Sequence, residues 1–221
     1  MVTCHGMIEV SEIAPQGTAE AETPHGFLRR VTRPWHDGVE QAFEPFDLQT
    51  AEGLRGFLLR QAMALVPFER ALEASGVEGI LPDWTLRRRA AMVESDLAHL
   101  GASVPVHDPA PRFESAPMML GALYVLEGSK LGGRVLHRRV LASPDPRVRA
   151  AIAFLGHRHD RSWPSLLAVL DGWPLDHAAR DELAQGAHMA FAAFRAAAES
   201  DGMPASVDTP TRFDRYHPAH A

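Results

Sequence analysis

The chain has 221 residues, 46% of them hydrophobic and 23% charged, which suits one globular domain with tails. Its formal net charge of −6 argues against a dedicated nucleic-acid-binding protein, and its one cysteine, Cys4, excludes an internal disulfide framework and a cysteine-based metal site. No basic N-terminal start leads into an apolar stretch, so we predict a cytoplasmic protein with neither a signal peptide nor a membrane segment.

Helical periodicity dominates between two irregular ends. Residues 1–25 and 201–221 carry several prolines and no sustained period, so we predict a loose N-terminal extension and an irregular C-terminal tail. The predicted helices between them cover about 27–46, 52–74, 83–100, 115–142, 145–156, 162–171 and 175–199. No segment alternates convincingly as a strand. The sequence therefore predicts a single all-α domain over residues 26–200.

The first predicted helix carries an apolar stripe with a histidine, His36, at its border. The residues predicted to face the core are Val31, Trp35, Val39, Ala42 and Phe46. Pro34 would interrupt an interior turn, so the helix is predicted to start or restart near Thr32, whose hydroxyl would cap it. A histidine at such a border is either a half-buried packing residue or a ligand, and the pattern leaves both interpretations open.

Two clusters of basic residues invite functional interpretations that the spacing does not favour. Arg87, Arg88 and Arg89 form a short basic run, which we predict to be the solvated face of a helix rather than a phosphate-binding site. His157 and His159 are two positions apart, and this spacing does not place two ligands on one helix face. A solvated turn is therefore predicted there.

The segment GALYVLEGSKLGG, residues 121–133, contains four glycines in an otherwise helical run. Each glycine inside a helix costs roughly 1 kcal/mol relative to alanine. At about 100° per residue, Gly121, Gly128 and Gly132 fall within roughly 40° of one another, while Gly133 points elsewhere. The pattern predicts a stripe of bare backbone. Such a stripe serves either tight helix packing or close approach of a ligand, and a loop is a further alternative.

Two segments resemble the signature helices of heme oxygenases. FLRRVTRPWHDGVE, residues 27–40, resembles their proximal helix: leucine and a basic residue, then threonine, then histidine four positions later, then glutamate. GALYVLEGSKLGG resembles their distal helix, in the bacterial branch that carries Glu-Gly-Ser-x-Leu-Gly. SWPSLLAVLDG (162–172) and AQGAHMAFAAFRAAA (184–198) also resemble that branch. The resemblance covers about residues 26–199.

The resemblance implies an all-α fold that holds heme between a proximal and a distal helix, with His36 as the iron ligand and residues 118–141 forming one long helix kinked near its glycines. It implies that Gly128, Ser129 and Gly132 surround the oxygen chemistry. The further residues implied to contact heme are Arg29, Tyr124, Gly133, Arg138 and Arg139. The arginines would bond propionates, although solvent is an equal alternative for each. Ser129 stands where animal members carry aspartate, so proton delivery must be built differently.

By the same resemblance, b-type heme is both cofactor and substrate. Oxygen and electrons from an external donor (a ferredoxin, a flavoprotein reductase or ascorbate) would open the ring to biliverdin, carbon monoxide and ferrous iron. The implied purpose is iron acquisition or chromophore supply, and a bacterial phytochrome is a candidate acceptor of the bilin.

Two other functions remain open at the level of sequence. The first is a non-catalytic heme-binding or bilin-sensing protein on the same fold, in which His36 and the glycine stripe serve binding alone. The second is a carboxylate-bridged di-iron oxygenase, which needs several Glu, Asp and His ligands projecting inward from facing helices. Glu40 lies one turn from His36, but no convincing ligand set can be assembled from the sequence.

Overall fold

The computed structural model describes residues 22–104 and 110–200, and none of these residues forms a strand. The all-α prediction is therefore confirmed for this part of the chain, whereas most of the predicted N-terminal extension, with Cys4, and the C-terminal tail lie outside it. The helices are α1 (Pro24–Phe43), α2 (Ala51–Ala74), α3 (Trp84–Arg87), α4 (Ala90–His99), α5 (Ala116–Leu141), α6 (Pro146–Ala150), α7 (Ala153–Gly156), α8 (Ser162–Asp171) and α9 (His177–Glu199), with a 3₁₀ turn at Val77–Gly79. Within the described residues, none of these helices is long and apolar enough to cross a membrane.

Helix α1 begins earlier than predicted and continues through its proline. The Thr23 side chain accepts a hydrogen bond from the Gly26 amide, and Pro24 occupies the first turn, where a missing N–H costs nothing. The predicted restart near Thr32 is wrong: its hydroxyl donates to the Leu28 carbonyl at 2.8 Å, one turn back in the same helix. Contacts with α9 on both sides of Pro34 keep the helix continuous.

The predicted core stripe of the first helix is correct for Val31, Val39 and Phe46, which pack against the core as partly buried side chains, and wrong for Trp35. Arg180 of α9 lies over the Phe27 ring at 5.2 Å, and the Trp35 ring stacks on His188 of α9 at 4.9 Å. Trp35 is nevertheless 38% exposed, because this stack lies at the surface rather than in the core. The buried residues of α1 are Pro24, Phe27, Leu28 and Thr32.

The predicted helix over 83–100 is two helices, α3 and α4, because a carboxylate from α2 caps the second of them. Glu69 is buried, and its two oxygens accept hydrogen bonds from the amides of Arg89 and Ala90 at 2.7 and 2.9 Å. These amides begin α4, where a helix has unpaired donors and favours a negative charge. The chain is extended at Arg88, and the helix restarts on Glu69.

The predicted helix over 145–156 is also two helices, because a carboxylate from another helix caps the second of them. Asp96 of α4 is buried, and its carboxylate accepts from the amides of Ala153 and Phe154 at 3.0 and 2.8 Å. These amides open α7, so the chain breaks after α6 and restarts on Asp96. Burial raises the pKa of both capping carboxyls, Glu69 and Asp96, while the backbone hydrogen bonds oppose that rise.

Helix α5 runs without interruption from Ala116 to Leu141, which confirms the long helix predicted there. Its first half is buried almost all round, from Pro117 to Glu127 apart from Tyr124, and packs extensively against α9. Its second half is largely exposed. The predicted kink near the glycines stays a prediction. The candidate site lies on this exposed half of α5.

Candidate functional site

The exposed half of α5 presents a face of apolar side chains and bare backbone. Gly128, Leu131, Gly132 and Val135 lie within about 100° of one another around the helix, and we call these four residues the open face. A Cβ added at Gly132 would meet nothing within 4 Å. Leu131 and Val135 are 49% and 53% exposed, which is unusual for large aliphatic side chains. This face therefore has the surface that a flat apolar ligand would cover.

The three glycines of the predicted stripe have different surroundings, and of the three only Gly132 has nothing within 4 Å of an added Cβ. A Cβ at Gly121 would overlap the Leu183 carbonyl of α9, so this glycine serves helix packing. A Cβ at Gly128 would lie 3.6 Å from the Trp163 ring of α8, an ordinary contact, so the backbone there is already covered on one side. The wheel alone could not distinguish these surroundings, because it does not show which neighbour packs on each turn.

Two arginines follow the open face along α5. Arg138 and Arg139 occupy the last turn of the helix and are both exposed. Arg139 lies within about 20° of Gly128 around the helix, whereas Arg138 lies at the edge of the face. Gly133 is buried, and a Cβ there would point at the Leu155 carbonyl at 3.9 Å, away from the open face.

His36 is an exposed side chain of α1 that is oriented by its own helix. Its side chain is 59% exposed, and its Nδ1 lies 3.7 Å from Glu40 Oε2, one turn later. Its ring meets the Phe191 ring of α9 edge-on at 6.4 Å. His36, Asp37 and Glu40 are the group of His, Cys, Asp and Glu side chains within the described residues whose ligand atoms come close enough for a metal ion. All three are exposed, unlike the inward-facing ligands of a di-iron centre.

Helices α1 and α5 meet at Tyr124. Burial raises the pKa of its phenol, while a side-chain hydrogen bond with Thr32 and the positive charge of Arg29 lower it. His36 follows Thr32 by four residues and Gly128 follows Tyr124 by four, so each lies about one turn, or 6 Å along its own helix, from this contact. The structure thus brings Arg29, Thr32 and Tyr124 together.

The arginine run that was predicted to be solvated is largely buried, and that prediction is wrong for two of its three members. The Arg87 side chain is 0% exposed and forms a bidentate pair with Asp83 at 2.7 and 2.9 Å. It also donates to Glu127 of α5 at 3.4 Å and to the Ser162 carbonyl of α8 at 2.7 Å. Arg88 alone faces solvent, with a side chain that is 52% exposed.

Arg89 passes beneath the glycine segment of α5 and holds Ser129. Its Nη2 donates to Ser129 Oγ at 2.9 Å and to the Leu126 carbonyl at 3.0 Å, and the serine hydroxyl donates to the same carbonyl at 2.8 Å. Burial lowers the pKa of this guanidinium, and the charges of Glu69 and Glu127 oppose the effect. Helical periodicity could not reveal this burial, because Arg89 stands at a break between two helices rather than on one face of a continuous helix.

His157 and His159 are partly buried, and each ring contacts a hydrogen-bonding partner, in contrast to the solvated turn that was predicted there. His159 Nε2 lies 2.8 Å from Asp83 Oδ2, with 25% of its side chain exposed. His157 Nε2 lies 3.0 Å from the Leu86 carbonyl, an acceptor, so this nitrogen carries the proton. Burial lowers the pKa of His157, and the nearby charge of Lys130 lowers it further. These contacts tie the loop to α3.

A small cavity of about 60 Å³ lies beside the glycine segment of α5, opposite α2 and α7. Its lining residues are Phe57, Gln61, Arg89, Ser129, Lys130, Gly133, Leu136, Phe154, Leu155, His157 and Arg158. Six of these carry charged or hydrogen-bonding groups in an otherwise apolar wall. The cavity therefore lies on the side of α5 next to the open face, and Ser129 is part of its wall.

Comparison with known proteins identifies relatives of this chain. The chain is 33% identical over 149 residues, 66% of its length and 89% of the relative, to a heme oxygenase from Xanthomonas campestris pv. campestris (strain 8004). It is 30% identical over 174 residues, 76% of its length and 87% of the relative, to heme oxygenase PigA of Pseudomonas aeruginosa. A search of protein-family profiles found no match.

A solved structure shares the fold. The NO- and CO-bound heme oxygenase from Neisseria meningitidis superimposes with a TM-score of 0.61 and 22% sequence identity. The superposition covers 80% of this chain and 91% of that one. The all-helical fold predicted from the sequence is therefore shared with this solved structure.

Proposed function

The chain belongs to the heme oxygenase family, and from this premise we propose that it opens heme to biliverdin, carbon monoxide and ferrous iron at the open face of α5. Heme supplies the iron that reacts with oxygen and the ring that is opened. The chain supplies the surface that binds the ring, the ligand that fixes it and the groups that manage water and protons.

The observation that carries this proposal is the open face itself. Leu131 and Val135 expose about half of their surface on either side of Gly132, where a side chain would meet nothing within 4 Å. Covering such apolar area is favourable by roughly 25 cal/mol per Å². A flat macrocycle can cover both side chains at once because the glycine does not hold it away from the backbone.

His36 is the residue that fits iron ligation. Its imidazole is accessible, and the Glu40 carboxylate lies 3.7 Å from Nδ1, which leaves Nε2 for the metal. A neutral imidazole nitrogen is the usual protein ligand of b-type heme iron. Heme bound at His36 would cover the ring.

Three arginines fit the propionates of heme. Arg29, Arg138 and Arg139 are exposed, and a guanidinium beside a carboxylate forms a charge-assisted hydrogen bond. Arg29 also lies close enough to Tyr124 to lower the pKa of its phenol, so it is located at the junction of α1 and α5. We assign Tyr124 to the wall of the site and the arginines to fixing the rotation of heme in its plane.

Ser129 is the group we assign to ordering water next to the open face. Arg89 and the Leu126 carbonyl fix its hydroxyl, so the oxygen keeps one orientation while the small side chain leaves room. Gly128 and Gly132 flank it in the chain. The electron donor belongs to the same proposal: a ferredoxin, a flavoprotein reductase or ascorbate would serve, and the bilin would leave for iron release or for a phytochrome.

The experiment is to add hemin to the purified protein and then a reductant in air. We expect stoichiometric heme binding, followed by loss of the heme absorption and appearance of a biliverdin spectrum when ascorbate or a ferredoxin system is supplied. Stable heme binding without decay would identify a heme-binding protein instead. No binding at all would refute the site.

A further inference from the structure

Lys130 is the only lysine of the chain; every other member of its 22 Lys and Arg residues is arginine. The two residue types differ in one chemical respect that matters here. Arginine stays protonated at any pH that proteins experience, whereas a lysine ammonium can release a proton. The one cationic side chain, besides histidine, that can act as a proton donor near neutral pH is therefore located between Gly128 and Gly132.

The structure holds the ammonium of Lys130 in a buried position with two fixed acceptors. Its side chain is 10% exposed. Its Nζ donates to Glu127 Oε1 at 2.5 Å and to the Arg87 carbonyl at 2.8 Å. An ammonium has three protons, so one remains for the cavity that Lys130 lines.

The cavity has the size and polarity to hold water. A volume of about 60 Å³ is several times the roughly 10–15 Å³ that one water molecule needs. Arg89 Nε is buried and has no hydrogen-bond partner among the described residues. Arg89 is itself one of the residues that line the cavity. Exposed Arg158 also lines the cavity and marks its connection to solvent.

The charges around Lys130 come from several elements. Glu127 on its own helix favours the ammonium, while Arg87 and Arg89, from α3 and the start of α4, disfavour it. Glu69 of α2 lies near enough for Lys130 to lower the pKa of its carboxyl, and His157 follows α7. Burial is the largest effect, and together these groups lower the pKa of Lys130 to about 8.

We propose that Lys130 is the proton donor of this enzyme, acting through water in the cavity beside Ser129. One N–H bond of the ammonium breaks, its proton passes to a cavity water, and the neutral amine recovers a proton from solvent at the Arg158 end. The cavity water passes these protons to the oxygen that is being reduced, and the external donor supplies the electrons for that reduction. This inference rests on the proposed function.

The test uses the full chain, with Lys130→Met, Lys130→Arg and, as a control, Arg134→Met, which removes an exposed cation one turn further along α5. Both lysine variants are expected to bind heme and to form biliverdin at least about tenfold more slowly, because a positioned proton donor contributes at least that factor. The wild-type rate is expected to decline as the pH passes about 8, and both lysine variants to lose this dependence. The control keeps the wild-type rate and profile.

A direct readout is the titration of Lys130 itself by NMR. Labelling with ¹³C-lysine gives one side-chain signal, because the chain has one lysine. We expect a midpoint near pH 8 in the heme-free protein. An ordinary midpoint near 10.5, or a Lys130→Arg variant with wild-type rate and pH profile, would overturn the proposal, since arginine preserves the charge but not the proton donor. If the variants do not fold, the titration decides. A wild-type protein that leaves heme intact refutes the proposed function instead.

Discussion

Gly121 of α5 and Gly186 of α9 form reciprocal contacts at the crossing of the two helices. A Cβ at Gly121 would overlap the Leu183 carbonyl, and a Cβ at Gly186 would overlap the Met118 carbonyl. Both clashes involve backbone atoms, which cannot move aside as a flexible side chain can. The close approach of α5 to α9 therefore depends on hydrogen in place of a methyl group at two positions.

We predict that Gly121→Ala and Gly186→Ala each lower the free energy of unfolding by at least about 1–3 kcal/mol, the usual cost of overpacking a core. Gly132→Ala is the matched control, because its added methyl group would meet open space. Its stability should stay unchanged or rise by up to about 1 kcal/mol, the helix preference of alanine over glycine. Denaturant unfolding of the three heme-free variants measures this. Equal stability of all three would contradict the packing described.

Removal of the buried Arg87 is expected to be strongly destabilising. Arg87→Met leaves Glu127, which is 2% exposed, without this partner and breaks the bidentate pair with Asp83. Breaking a buried ion pair on one side costs about 3–5 kcal/mol. Arg88→Met removes the neighbouring arginine, whose pair with Glu73 is half exposed, and should cost less than about 1 kcal/mol. Similar losses in the two variants would show that burial of Arg87 contributes little.

Asp83 predicts a specific acid dependence of stability. The Arg87 guanidinium is the main cause that lowers the pKa of Asp83 from 3.8 to about 2, and His159 contributes further. Because the carboxyl pKa is lower in the folded than in the unfolded chain, its stabilisation is complete above about pH 4 and disappears as the pH falls towards 2.

The measurement is the stability difference between wild type and Asp83→Asn as a function of pH. We expect a constant difference from about pH 7 to 5 and convergence of the two proteins on further acidification. Glu94→Gln, at an exposed position of α4, is the control and should follow the wild type throughout. A difference that persists unchanged down to pH 2 would mean that Asp83 acts through something other than its charge.

His36→Ala is expected to fold normally and to lose the ordinary heme absorption and most turnover, because no other side chain was assigned to the iron. His177→Ala is a matched control: His177 is also exposed and also faces an acidic residue one turn later, Asp181 at 3.2 Å. Hemin titration followed by optical spectra distinguishes the two. A His36→Ala protein with wild-type spectrum and bilin yield would place the ligand elsewhere.

The helices could be predicted from sequence because they depend on local periodicity, and the two signature segments were identified by their resemblance to those of heme oxygenases. The breaks at Arg88 and before Ala153 could not, because the capping carboxylates, Glu69 and Asp96, come from other helices. The burial of Arg87 was likewise hidden, since its partners on α5 and α8 are distant in the chain. The sequence shows which residues can carry a charge, and only the tertiary contacts show which of these charged side chains are buried.

The glycines show the same limit at the site. Spacing grouped Gly121, Gly128 and Gly132 as equivalent, yet α9 covers the first, Trp163 flanks the second, and the third alone is open. A wheel defines directions around one helix and not the neighbours in those directions. The structure was therefore needed to distinguish Gly132 from the other two glycines, and the assignments of Gly132, His36 and the arginines to the heme site stay predictions.

Gly132→Leu tests directly whether heme binds at the open face of α5. A leucine there would project from the open face between Leu131 and Val135 and occupy the space proposed for heme and oxygen, without touching the core. Gly133→Leu is the comparison one residue away. Gly133 is buried and faces the Leu155 carbonyl, so leucine there should lower the unfolding temperature instead.

The decisive measurement is the biliverdin yield per heme of Gly132→Leu in a single turnover, alongside wild type. We predict less than about a tenth of the wild-type yield, together with an apo-protein melting temperature no lower than that of wild type. A wild-type yield from the folded variant would contradict the claim that heme is bound and opened at the open face of α5.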